Sequence, residues 1–287
     1  MLRSITRTVE GQETTDGQGV RLRRTIGTPV LDHLDPFLLL DEFRSDDPGD
    51  YIGGFPDHPH RGFETVTYML AGLMQHRDHA GNQGDLRAGS VQWMTAGRGI
   101  VHSEMPKQVD GLMWGFQLWV NLPAASKMIE PRYQDIPPEA VPEVKMGEGK
   151  LARVIAGVVE GVEGPVRGVA TSPMYLDLRL SPAVKVAHPV PAEYNGFIYV
   201  FEGSLEVAGR EDDPNVTIPR GTLGVLGAGD AIATTTGPEG ARFLLVAARP
   251  LNEPIARRGP FVMNTNEELY QAFEDFSSGK FSSPPAP

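Results

Sequence analysis

Glycine and proline break this chain too often for long helices to run through it. Its 33 glycines and 25 prolines separate short runs rich in Val, Ile, Phe, Tyr, Trp and Leu. Examples are ETVTYML, SVQWMTA, MWGFQLWVNL, MYLDLRL, FIYVFEG, GTLGVLG and ARFLLVAA. Short strands at short spacing, with turn residues between them, read as an all-β sandwich or barrel. The clearest helical period lies near the C-terminus, in NTNEELYQAFEDF. There Thr265 and Glu268 form a capping box, and Leu269, Ala272, Phe273 and Phe276 recur at helical spacing. A short helix packed on a barrel is expected. The closing SSGKFSSPPAP reads as disordered or draped.

The strand pattern is also repeated. ETVTYMLAG (Glu64–Gly72) lies over NGFIYVFEG (Asn195–Gly203), and RAGSVQWMTAGRG (Arg87–Gly99) over PRGTLGVLGAGDA (Pro219–Ala231). Each pair keeps a strand and a glycine turn at nearly one spacing, as two copies of one β unit would. The stretch Tyr133–Lys150 is rich in proline and charge and reads as the linker. The expected division is 1–137 and 138–287.

Composition narrows the chemistry. A formal net charge of −11 argues against broad, charge-driven binding of nucleic acid or an anionic membrane. The cluster Arg21, Arg23, Arg24 is the local exception. It reads as a solvated strand edge, with a protein-binding patch as the alternative. There is no cysteine, so a metal site here must use nitrogen and oxygen ligands. No apolar run has the length of a signal peptide or a membrane span, and cytoplasm is the expected compartment.

Two short motifs supply such ligands. In a strand, residues i and i+2 face the same side, so His58 and His60 in FPDHPHRGFE project together. His102 and Glu104 in GRGIVHSEMP form a second pair of the same geometry. Three imidazoles and one carboxylate from separate strands can converge on Fe, Mn, Ni, Cu or Zn. A lone H-x-H is more often a surface or satisfied core feature, and the second pair reverses that judgement. The repeat is an internal control: His58 and His60 fall over Pro189 and Pro191, and His102 and Glu104 near Thr234 and Thr236. The second copy keeps the framework and loses the ligands. Glu64, four residues beyond His60, is expected just outside the ligands, accepting a hydrogen bond that orients an imidazole, with a fifth ligand as the alternative. His76 and His79 read as solvated loop residues, His188 as structural, and His33 has no role.

The two motifs, read in full as GGFPDHPHRGFETV and WMTAGRGIVHSEMP, resemble the pirin family of the cupin superfamily. LDPFLLLDEF, GFQLWVNLP and GPFVMNTNEE extend the resemblance over nearly the whole chain. It implies two cupin barrels (double-stranded β-helix, jelly-roll) in one chain, with one divalent metal, usually Fe(II), in the N-terminal barrel. The family's ligand positions match His58, His60, His102 and Glu104. Glu64 matches a position just outside the ligands, and the C-terminal barrel is implied to be degenerate and metal-free.

Two roles are implied. One is a quercetin 2,3-dioxygenase that opens a flavonol ring with O2 and releases CO. The other is a metal-dependent regulatory protein-binding module, a transcription cofactor or a modulator of a metabolic enzyme, without turnover. The chemistry favours the enzyme, with Glu104 as general base toward the substrate hydroxyl and Phe55, Met94 and Trp114 lining an aromatic slot. Core packing competes as the role of Met94 and Trp114. The regulatory reading rests on Arg21, Arg23 and Arg24. A metal that only stabilises the barrel is a third reading.

Overall fold

The computed structural model describes residues 1–210 and 213–282. They form two compact units, each built from separated stretches: Met1–Gln12, Gly27–Pro36 and Glu139–Pro250 in one, and Glu13–Ile26, Phe37–Pro138 and the described chain from Leu251 in the other. The expected internal boundary at 137/138 falls beside the Pro138/Glu139 junction, but the two ends of the chain differ from a continuous division. Strand β1 (Ile5–Glu10) runs antiparallel to Thr222–Leu226 and so belongs with the C-terminal half. It is held there by buried Val9 and by Arg3, whose guanidinium donates to the carbonyls of Gly229 and Tyr194. The chain from Leu251 belongs with the N-terminal half. Both pairings span more than half the chain, beyond the reach of local patterning.

The C-terminal half's unit is a nine-stranded antiparallel arrangement that includes β1. Leu176, Leu178, Ile198, Val200, Phe243 and Leu245 fill its core. They recur at period 2 on one face of their strands, and the intervening Asp177, Tyr199 and Leu244 are buried as well.

The other unit carries the histidine motifs. Its strands are β2 (Gln12–Asp16), β3 (Val20–Ile26), β4 (Phe37–Ser45), β5 (Phe55–His60), β6 (Phe63–Ala71), β7 (Leu73–Asp78), β8 (Gln83–Arg87), β9 (Val91–Thr95), β10 (Ile100–Pro106), β11 (Met113–Asn121) and β12 (Arg132–Ile136). One sheet has the order β12-β9-β6-β11-β4-β3-β2 and the other β5-β10-β7-β8. The fold is all-β with a short C-terminal helix, as the sequence predicts.

That helix, α1 (Asn266–Ser277), starts at the expected capping box: Thr265 Oγ1 accepts from the Glu268 N–H and Glu268 accepts from the Thr265 N–H. Leu269 and Ala272 are buried against Phe261, Met263 and Phe281, whereas Phe276 stays 41% exposed. Phe281, inside the stretch expected to be loose, is thus part of the core. Residues 283–287 of that stretch lie outside the described residues.

Candidate metal centre

The two histidine motifs lie on neighbouring antiparallel strands. β5 and β10 pair with His58 opposite His102 and His60 opposite Ile100. Alternation along β5 turns His58 and His60 to one side, and the antiparallel pairing brings His102 onto them. The ring centroids are 4.7 Å (His58–His60), 4.5 Å (His58–His102) and 5.1 Å (His60–His102) apart. One ring nitrogen from each lies within 4.8 Å of the other two.

The electrostatics suit a cation. His58 Nδ1 is 2.8 Å from the Pro56 carbonyl, which can only accept, so Nδ1 carries the proton and Nε2 presents a lone pair. That lone pair faces His60 Nε2 at 3.0 Å. Both nitrogens of His102 are buried without a hydrogen-bond partner, a costly state for polar atoms. Burial, and then the neighbouring imidazoles, push His60 and His102 well below the usual histidine range. Neutral, clustered imidazoles with unpartnered nitrogens are the donor set a divalent transition metal takes. The residues present therefore fit a metal ion.

Glu104 stands beside this triple, outside its 4.8 Å set. A bulge between His102 and Glu104 shifts the register, so Glu104 pairs with Phe55. Its carboxylate is buried and held on both oxygens: Thr67 Oγ1 donates to Oε1 at 2.8 Å and Gln117 Nε2 to Oε2 at 2.9 Å. Those two partners come from the facing sheet, where Thr67 and Gln117 are directly opposite each other on β6 and β11.

His58, His60, Glu104, Thr67 and Gln117 all open onto one cavity of about 410 Å³. Leu22, Phe43, Phe55, Met74 and Trp119 form its apolar walls. Of the expected aromatic slot, only Phe55 lines it. Met94 is fully buried with Ala96 and Ile100. Trp114 donates its Nε1–H to Glu42 at 2.9 Å under Arg44, on the reverse face of β11 from Gln117. Both are packing residues, the competing reading.

Glu64 is placed differently from expectation. The Arg61–Gly62 turn, with Gly62 at φ 87°, separates β5 from β6, so strand alternation does not carry from His60 to Glu64. Glu64 lies on the face of β6 opposite to Thr65 and Thr67. Its Oε1 accepts from Thr95 Oγ1 at 2.7 Å, and the carboxylate is buried. Burial pushes this carboxyl up, against the Thr95 hydrogen bond. No imidazole is among these contacts.

The remaining basic residues sort as follows. His76 is not a loop residue: it is fully buried on β7, stacked 5.0 Å from Tyr133 and 3.5 Å from Asp135 Oδ2. His79 is in a turn, where its Nδ1 accepts from the Val101 N–H. His33 is exposed beside Asp32. Arg21, Arg23 and Arg24 divide among Asp50, Glu13 and the pair Asp41 and Asp16, so the arginine cluster is met by carboxylates.

The second unit shows why the triple occurs once among the described residues. Its equivalent strand pair sets Val186 opposite Thr234 and His188 opposite Ile232, matching His58 opposite His102 and His60 opposite Ile100. The counterparts of His58 and His60 are thus Val186 and His188, three residues from the prolines that sequence alignment selects. His188 is a lone imidazole with Ile232 across from it.

Thr67, Gln117, Trp119 and Asp41 were not among the expected site residues, and Arg24 was expected only in a protein-binding patch. A polar residue inside an apolar strand, such as Gln117 within GFQLWVNLP or Asp41 within FLLLDEF, was the available signal.

Residues 19–120 match the family model described as Pirin, and residues 175–282 the model described as the Pirin C-terminal cupin domain. The chain is 47% identical over 281 residues to a pirin-like protein of Caulobacter vibrioides, covering 98% of this chain and 99% of that one. It is 44% identical over 280 residues to the pirin of Homo sapiens, covering 97% and 93%. The crystal structure of quercetin 2,3-dioxygenase from Acinetobacter baumannii superposes with a TM-score of 0.90 at 33% identity, covering 99% of both chains.

Proposed function

The chain belongs to the pirin family of two-domain cupins, and from that premise we propose that it is a quercetin 2,3-dioxygenase-like enzyme, opening a flavonol ring with O2 and releasing CO. The imidazole triple and the chain's relatives imply a metal ion. In this proposal the ion is Fe(II), held by His58, His60, His102 and Glu104. When bound, it would lower the pKa of a coordinated hydroxyl and provide a redox partner for dioxygen.

The protein's own groups have separate tasks. Glu104 takes the proton from the flavonol 3-hydroxyl. A carboxylate oxygen has two lone pairs, so each Glu104 oxygen keeps one free after accepting from Thr67 or Gln117. Those two donors fix the carboxylate plane, so its rotation is not spent at each turnover. Phe55, Trp119 and Leu22 offer flat apolar surface to an aromatic body. His58 is fixed in one tautomer by the Pro56 carbonyl, which keeps its Nε2 turned inward.

The observation that carries this proposal is one cavity joining His58, His60 and Glu104 to apolar walls. A pocket of this size and character is usual for a drug-sized aromatic ligand. The test is metal analysis of the purified protein, anaerobic flavonol titration, then oxygen uptake with detection of CO. Near-stoichiometric metal, a shifted flavonol absorbance band and CO release are expected. Fully metal-loaded protein that turns over no flavonol would defeat the enzymatic reading.

A further inference from the structure

The cavity has a second polar region that the metal centre does not use. Cross-strand pairing in the seven-stranded sheet sets Gln92 opposite Thr67, Thr67 opposite Gln117, Gln117 opposite Asp41 and Asp41 opposite Arg24. Directly opposed residues share a face, so these side chains form one polar row across the inner face. Thr67 and Gln117 serve Glu104. Asp41 and Arg24, on the next two strands, line the same cavity without touching Glu104.

We propose that the Asp41–Arg24 pair is a binding subsite for hydroxyl groups at the end of an aromatic substrate remote from the imidazole triple. It makes the cavity selective for polyhydroxylated rings. This rests on the flavonol reading above and names which flavonols are preferred.

Distance supports the assignment. Neighbouring strands are about 4.8 Å apart. Asp41 and Arg24 therefore stand one and two strand spacings, about 5 and 10 Å, from Gln117. That is the reach of a planar three-ring body whose near oxygens engage Glu104. Leu22, Leu39 and Phe43 line the cavity from the same strands as the pair, suiting the apolar faces of such a body.

The chemistry of the pair supports it too. Asp41 is 3% exposed yet on the cavity wall. Arg24 Nε and Nη2 donate to its two oxygens at 2.8 and 2.7 Å, and Nη2 also reaches Asp16 at 2.9 Å. A carboxylate has about four acceptor sites, so two remain for O–H donors. Two adjacent phenolic hydroxyls supply two such donors. Hydrogen bonds to a charged, buried acceptor are among the stronger ones.

The test uses full-length, metal-loaded protein under anaerobic conditions, titrated by absorbance. Three flavonols share one fused ring system and carry none, one or two hydroxyls on the pendant ring. For the wild type, Kd should fall about tenfold or more from none to two, as expected where a site is built to hydrogen-bond a hydroxyl. Asp41→Asn should close that gap to within about twofold. Arg24→Lys keeps a cation but not the fork that fixes Asp41 and should narrow the gap as well. It serves as the second variant if Asp41→Asn does not fold. Equal wild-type affinity for all three overturns the subsite while the flavonol reading stands. A full gap retained in the folded variants also overturns it. If the wild type binds none of the three, the flavonol reading fails and the subsite with it.

Discussion

Replacing His102 by leucine should stabilise the metal-free protein while abolishing its response to metal. His102 is fully buried, and both its ring nitrogens lack a partner. Each unpartnered buried polar atom costs about 1–3 kcal/mol, so two cost about 4 kcal/mol. Leucine is apolar and of similar bulk, and imperfect fit returns about 1–3 kcal/mol of that. The net gain is about 2 kcal/mol, or roughly 4–8 °C in the melting temperature of a unit this size. Metal acts in the opposite direction. Ion at a thousandfold over its Kd stabilises the wild type by about 4 kcal/mol, and the variant has lost a ligand. The assay is thermal denaturation of chelator-treated wild type and His102→Leu, each with and without added Fe(II) or Ni(II). The two curves should cross: variant higher without metal, wild type higher with it. A metal-free variant that melts below the wild type would refute the cost assigned to the orphan nitrogens. An undiminished metal shift in the variant would refute His102 as a ligand.

Three further outcomes follow from single contacts. Gln117→Leu leaves Glu104 Oε2 without its donor, so kcat should drop about 10–100-fold with metal content kept; loss of the metal itself would show that Gln117 holds Glu104 for the ion rather than for proton transfer. Arg61, next to His60 in the chain, binds Asp275 of α1 at 2.9 Å; Asp275→Ala should speed metal release about tenfold, and an unchanged chelator-competition rate would disprove that link. Buried Lys127 donates to Gly62 O, Asn121 Oδ1 and Val262 O, and burial, opposed by Glu253 and Glu268, lowers its pKa from 10.5 to about 8. Between those values the unfolded chain holds a proton that the folded one has released. Stability should therefore rise with pH across that window, by up to about 3 kcal/mol. Lys127→Met should flatten the rise, and parallel denaturation midpoints at pH 7.5 and 10 in both proteins would rule the linkage out.

What was legible in the sequence is what period and short range encode. Strand alternation turned His58 and His60 to one side without any knowledge of their partner strand. The Thr265–Glu268 capping box is local, and α1 begins where it says. The misplaced features depend on register between distant segments. Glu64 was assigned to the His60 face because alternation was carried through Arg61–Gly62, where a glycine at φ 87° turns the chain into another sheet. Trp114 was assigned to the slot by type, but pairing with Arg44 sets it on the face of β11 away from Gln117; Met94 shares the face of Thr65 and Thr67 yet is buried with Ala96 and Ile100. The repeat was visible, yet its alignment slipped by three residues between the histidine strand and its counterpart. Turn lengths differ between the copies, and glycine spacing alone does not count strand residues.

The corrected register also explains how one framework serves two ends. In the second unit one of the three positions belongs to the hydrophobic core: Val186, at the His58 position, packs in the same cluster as Ile232, Phe243 and Leu245, while His188 and Thr234 are buried polar residues. Burying an aliphatic side chain is favourable by about 1.5–3 kcal/mol, whereas a buried imidazole nitrogen without a partner is a cost. That unit stabilises itself by filling its interior. The unit with the imidazole triple leaves a cavity open and the His102 nitrogens unpartnered, a cost that a bound ion would offset. The polar row from Thr67 to Arg24 belongs to the same choice, since a sheet face kept polar can order a substrate but contributes little apolar burial. The two histidine motifs therefore record where this chain accepts lower stability in return for a site.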